Sequence, residues 1–361
     1  MELVARTLLE ASKAPGTTAA YKTAVTKFDE YCRENKVHIT NGIDVQALRG
    51  FVAYLATPTP TKRTGLRYST VQSYLTGVKS WALDQGLTVP TAEEMGPVKK
   101  LVRGLKRIQH GRQGSSRLPV TIELCGLIKS VLDLDQHNHR VFWAMLATGV
   151  RGLFRLGELT VDNTTSQNNK DKLLHQSDLS TFKEEACKGH ALQLRVSKTD
   201  PFRESTTVYL FFTNDTVCAS SALHSMIRQS PFTRSASTPL FALDNGEPLL
   251  RPKFIELLQQ CIRLVNKKFS LNFDYKRFSG HSIRRGGATS LATMNVPDHV
   301  IQTMGRWKSN SHRIYISTPR ARLFQATSRL NKITKGNKKE LVAACLKSLT
   351  KKPYEPEVGG L

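Results

Sequence analysis

The chain has 361 residues, with 53 Lys and Arg against 29 Asp and Glu, a formal charge of +24 and 39% hydrophobic residues. That length holds about two domains, and so ordinary a hydrophobic fraction excludes wholesale disorder. No apolar run approaches the roughly 20 residues of a membrane span, and the six cysteines form no CxxC pair, which speaks against a zinc cluster or disulfide framework.

The predicted elements begin with an amphipathic helix over 18–36, where Tyr21, Val25, Phe28 and Tyr31/Cys32 recur at helical spacing. A second helix is expected over 45–55, ended by Pro58 and Pro60. A third is expected over 69–85, with Ser69 as N-cap and Gly86 as C-cap. A fourth, basic helix follows from Pro97 to about Gln109. The polar, glycine-containing stretch after it reads as a linker, so the expected division is 1–110, a linker at 111–117, a larger domain over 118–335 and a tail at 336–361. The larger domain opens with helices over 121–134 and about 141–146, followed by a polar insertion at about 161–190. Two strands, 191–196 and 206–212, form a hairpin with a long tip. Further helices are expected over 216–228, 251–269, 281–294, 297–306 and 319–333, and a short amphipathic helix over 340–349.

The basic residues are unevenly placed. Between Lys99 and Arg117 there are seven Lys/Arg and no acid; between His299 and Lys339 there are ten and again no acid. Two such runs point to phosphate contact, so a polyanion, and nucleic acid first, is the expected partner. Lys99, Lys100, Arg103, Lys106 and Arg107 are the phosphate-binding candidates of the first run, and Arg285, Arg306 and Lys308 those nearer the C-terminus. The N-terminus lacks the apolar core of a secretory signal, and an intracellular protein is expected.

Several chemistries lack their residues. There is no GxxxxGK[ST] loop, no HExxH and no EF-hand pattern, and the acid-poor C-terminal third offers little to hold two Mg²⁺ ions; neither metal nor cofactor is expected. The polar residues that stand out are Arg155, Glu158, Lys198, His281, Arg284, Trp307 and Tyr315. They form a set suited to metal-free phosphoryl transfer. Two guanidiniums clamp a phosphodiester and stabilise its transition-state charge, tyrosine supplies a covalent nucleophile, and Lys and His move protons.

Three segments carry a family resemblance. Phe154-Arg-Leu-Gly-Glu-Leu159 resembles the first arginine box of the tyrosine recombinases, and His281-Ser-Ile-Arg284-Arg-Gly-Gly-Ala-Thr289 resembles their HxxR box. Gly305-Arg-Trp307-Lys-Ser-Asn-Ser-His-Arg-Ile-Tyr315-Ile316 is similar to the segment that carries their nucleophile. The likeness runs from roughly residue 15 to 335. Its wording around Ser197-Lys-Thr-Asp-Pro-Phe-Arg203 and Pro297–Trp307 is closer to the DIRS/Ngaro retrotransposon and Crypton enzymes than to bacterial or phage ones. The resemblance implies a mainly α fold with a small antiparallel sheet. An all-helical core-binding domain and a mixed α/β catalytic domain would close as a C-shaped clamp on duplex DNA.

It implies Tyr315 as nucleophile, with Arg155, Arg284 and Trp307 on the phosphate. His281 would assist the tyrosine proton, Lys198 would act as general acid and Glu158 would support Arg155 from behind. Arg151 is a rival to Arg155, because bacterial members place an arginine two residues after a Thr-Gly pair; the Arg-x-x-Glu-Leu match favours Arg155. It further implies recombination through a 3′-phosphotyrosine, a tetramer on two DNA sites, no small-molecule substrate and a nuclear site of action if the host is eukaryotic. A type IB topoisomerase and a domesticated, non-cleaving DNA-binding protein are the alternatives.

Overall fold

The computed structural model describes Val4 and residues 12–58, 64–109, 117–195 and 206–309. The chain divides into two compact units, residues 1–116 and 117–361.

The first unit holds four helices among its described residues: α1 (Pro15–Glu34), α2 (Val45–Ala56), α3 (Tyr68–Asp84) and α4 (Gly96–Ile108). The carboxylate of Asp44 accepts the Ala47 N–H at 2.7 Å and so starts α2. At the end of α3, Gln85 is the cap and Gly86 the left-handed residue beyond it, with Leu87 and Gly86 N–H groups donating to the Ala82 and Leu83 carbonyls. Its start lies at Tyr68, one residue before the expected Ser69 cap, and no side chain caps it. Phe28, Tyr31 and Phe51 build the centre of this unit's core with Leu48, Val71, Val78 and Val98. The Phe28 and Phe51 rings meet edge to face at 5.1 Å. Helix α4 buries Val98 against this core, while Lys99, Lys100, Arg103, Lys106 and Arg107 are all exposed.

The second unit packs α5 (Ile122–Lys129), α6 (His137–Arg151), α9 (Ala219–Arg228), α10 (Arg251–Phe269) and α11 (Gly280–Thr293) around one core. The short helices α7 (Leu156–Leu159) and α8 (Gln167–Lys172) and the C-terminal α12 (Asp298–Met304) complete its described helices. Helix α6 is the central one, buried from Val141 to Val150. Helix α5 stops at Lys129 rather than at the expected residue 134, since the Ser130 hydroxyl donates to the Leu127 carbonyl and Asp133 accepts the Asp135 N–H in a local turn.

The sheet has three antiparallel strands in the order β1 (Leu179–Lys183), β2 (Lys188–Leu194), β3 (Thr206–Phe211), with Leu179 opposite Leu192 and Gly189 opposite Phe211. The expected β2–β3 pairing is present. Strand β1 lies inside what reads in the sequence as a polar insertion. His190, Leu192, Leu194 and Leu210 face the core. No described helix is long and apolar enough to cross a membrane.

Candidate active site

Three stretches far apart in the chain meet at the C-terminal end of α6. The first is the turn from α6 into α7. Gly152 ends α6, and Leu153 follows with φ of 49°, a left-handed conformation that costs a branched side chain about 1–2 kcal/mol. The Leu153 side chain offsets this by filling a small core with Ala288, Ala292, Ile301 and Trp307. The turn delivers Arg155 to the N-cap of α7, where the Glu158 side chain reaches back to accept the Arg155 N–H at 2.9 Å.

The second stretch is α11. A Cβ at Gly286 would lie 1.7 Å from the Val120 carbonyl oxygen, and one at Gly287 would lie 2.2 Å from that of Val150. The glycine pair therefore lets α11 lie backbone against backbone on the 117–122 segment and on the end of α6. Arg284 shares a helix face with Gly287 and Ala288, so this close approach buries it. It is 1% exposed. Its Nη1 donates to the Leu153 carbonyl at 2.9 Å and its Nη2 to the Gly305 carbonyl. His281, one turn earlier on α11, is exposed. Arg285 points to the 117–122 segment, where its Nη1 donates to the Arg117 carbonyl at 3.1 Å.

The third stretch follows α12. A Cβ at Gly305 would fall 1.7 Å from the Trp307 ring, so only glycine lets the indole fold back here. The Arg284 guanidinium stacks on that indole, 4.2 Å from the ring centroid. Between them in sequence, Arg306 is left-handed, with φ of 57°. The phosphate-facing placement expected for Arg306 does not match this geometry. Its side chain turns inward, donating from Nη1 to the Gly152 and Met304 carbonyls and from Nη2 to the Leu153 carbonyl and Glu158. Lys308, by contrast, is exposed.

Glu158 is where the three stretches join. Its carboxylate lies 2.6 Å from Arg155 Nη1, 3.1 Å from Arg306 Nη2 and 3.8 Å from Arg284 Nη1. Burial alone would push this carboxyl up. The guanidiniums of Arg306, Arg155 and Arg284, with the Arg155 N–H, outweigh burial and hold it below the ordinary glutamate value. Three guanidiniums thus face one carboxylate, a local excess of two positive charges in a mostly water-poor setting. Such an arrangement attracts an anion and holds it with preorganised donors.

Arg151, the rival to Arg155, is committed elsewhere: its Nη2 pairs with Asp215 at 2.5 Å and its Nε donates to the Val217 carbonyl. Lys198 and Tyr315 lie outside the described residues, as do residues 111–116 of the linker, the expected 319–333 helix and the tail. Lys198 falls between β2 and β3, and Tyr315 falls eight residues after Trp307. The tie between Glu158 and Arg306 is the feature that sequence reasoning missed. No local pattern announces it, because the partners stand 148 residues apart. Among the described residues no group of His, Cys, Asp or Glu is placed to hold a metal ion.

Residues 4–82 match the family model of the phage integrase SAM-like domain. The chain is similar in structure to the XerH site-specific recombinase bound to palindromic difH substrate in a post-cleavage complex. That match has a TM-score of 0.54 at 17% identity and covers 86% of this chain and 78% of that one. The pre-cleavage complex of XerH with difH matches with a TM-score of 0.51 at 15% identity, over the same shares of the two chains. No curated protein matches the sequence. The mainly helical fold with its small antiparallel sheet is thus the fold of these recombinases.

Proposed function

We propose that the protein is a tyrosine site-specific recombinase that cuts and rejoins duplex DNA for a mobile element. The observation that carries this reading is the meeting of Arg155 and Arg284 at Glu158, with Trp307 stacked on Arg284, from boxes that are remote in sequence. In this reading the Tyr315 hydroxyl attacks the scissile phosphorus, and the bond to the 5′ oxygen breaks. The tyrosine remains joined to the 3′ phosphate, and His281 assists removal of its proton. Lys198 gives a proton to the departing 5′ oxygen. Arg155 and Arg284 carry the charge that builds on the non-bridging oxygens, with Trp307 beside them. A 5′-hydroxyl from a partner DNA reverses the step, and the phosphotyrosine conserves the bond energy. We assign the element to the eukaryotic DIRS/Ngaro–Crypton branch on its motif wording, with a tetramer on two sites acting in the nucleus.

The test is a DNA site, found by selection, with a nick a few bases past the expected cut. Cleavage then releases a short fragment, the reversing 5′-hydroxyl is lost, and a covalent adduct should accumulate in the presence of EDTA. Tyr315→Phe should bind the site and form no adduct. An adduct from that variant moves the nucleophile to another residue, and no adduct from the wild type on a confirmed site favours a non-cleaving DNA-binding protein.

The exposed basic face of α4 is assigned to phosphate contact. Neutralising Lys99, Lys100, Arg103 and Lys106 together should weaken binding to every duplex alike. The slope of log affinity against log salt should shrink by up to about 0.9 per lost contact. A salt titration with an unchanged slope would return this face to solvent.

A further inference from the structure

Arg306 is a guanidinium at the candidate site whose side chain turns inward to Glu158. Its side chain is 12% exposed, and it is stacked over the Phe154 ring at 4.8 Å. Three carbonyls and the Glu158 carboxylate accept from its Nη1 and Nη2. Burial lowers its pKa, and Glu158 opposes that shift, so the two charges stabilise each other. Arg155 is twice as exposed, with 24% of its side chain open, and its Nη1 donates to Glu158 at 2.6 Å.

One carboxylate balances only one cation, so the three guanidiniums around Glu158 share its field. We infer that Arg306 is a positioning residue. It is the standing counter-ion of Glu158, and it leaves the charge of Arg155 and Arg284 for the scissile phosphate. It also fastens the Trp307 segment to the 152–158 turn through the Gly152 and Leu153 carbonyls. This inference rests on the recombinase reading of the site. Without Arg306, Glu158 pulls Arg155 and Arg284 towards itself and competes with the phosphate for them.

The test is a sign reversal. Arg306→Gly removes the guanidinium and also suits the left-handed backbone at φ of 57°, so the turn is relieved rather than broken. Arg306→Met keeps the packing volume without charge, and serves if the glycine variant does not fold. Single-turnover adduct formation on the nicked site is measured for each variant, alone and with Glu158→Gln.

Either Arg306 variant should bind DNA nearly as the wild type does and cleave roughly 100-fold slower, the scale of losing one preorganised charge. Glu158→Gln should slow the wild type, yet speed the Arg306 variants about tenfold or more, because the competing carboxylate is gone. Cleavage at wild-type rate in both Arg306 variants, or a further loss on adding Glu158→Gln, overturns the inference.

A second readout needs no cleavage: the rise in thermal midpoint on adding inorganic phosphate at constant ionic strength. The rise should shrink in Arg306→Met and return in the double variant. Its failure to do so overturns the counter-ion role even if the wild type forms no adduct, an outcome that would sink the recombinase reading by itself.

Discussion

Arg284→Ala should lose DNA cleavage by about a thousandfold and should lower unfolding free energy by about 3–5 kcal/mol, the range for breaking a buried ion network from one side. Few arginines are so enclosed. The side chain is 1% exposed, its donors go to the Leu153 and Gly305 carbonyls, and its plane lies on the Trp307 indole. Alanine leaves both carbonyls short of a donor, leaves the indole over a void and removes one of the three cations around Glu158. Lysine should recover only part of the stability, because an ammonium has neither the fork nor the plane.

The effect has a pH signature as well. The Glu158 carboxyl is held below its ordinary value, so its contribution is present above the unfolded-state pKa and is lost as pH falls through the lower folded-state value. Removing Arg284 raises that folded-state value, so the acid loss of stability from Glu158 should be smaller and should be complete at a higher pH than in the wild type. Denaturant titrations of both proteins between neutral and acid pH read this directly. Equal stability of the two at neutral pH would mean that the buried guanidinium does not hold the three stretches together.

Lys198→Ala should bind its DNA site normally and cleave about 100- to 10,000-fold more slowly, the range of a general-acid contribution. A bridging sulfur in place of the 5′ oxygen should restore most of that rate, since a thiolate leaves without needing a proton. The same substitution should do little for Arg155→Ala, whose missing charge acts on the non-bridging oxygens. Rates on paired oxygen and sulfur substrates settle the assignment. If sulfur fails to rescue Lys198→Ala, the proton comes from another group.

Much of the fold is legible in the sequence where apolar spacing is regular. The helices around Phe28, Phe51 and Val78 fall within a few residues of their expected bounds, and so do α10 and α11. Strand β1 is not legible, because only Leu179 and Phe182 are apolar among its five residues and the strand takes its order from pairing with β2. In the candidate site, Arg155, Glu158 and Arg284 are legible because each sits in a short motif with a chemical logic. The pairing of Arg151 with Asp215 is not legible, because Asp215 lies 64 residues beyond Arg151 and carries no motif. Arg306 reads as one more surface cation in an acid-free run; its inward turn depends on two left-handed residues, Leu153 and Arg306, that no local pattern prescribes.

The separation of these boxes also sets an order in time. Arg155 and Glu158 can pair within one turn as soon as α7 forms. Arg284 must wait for a contact 131 residues long, and Arg306 for one of 148. Closing loops of that length is slow, and at about 5–20 residues per second synthesis alone separates Glu158 from Arg306 by roughly 7–30 s. Until Arg284 is made, a nascent chain has only the Arg155–Glu158 pair. Charges that later repel one another across the pocket are brought together only after the surrounding helices can hold them in place. A chain cut short before residue 284 therefore has no second guanidinium to set beside Arg155 at Glu158.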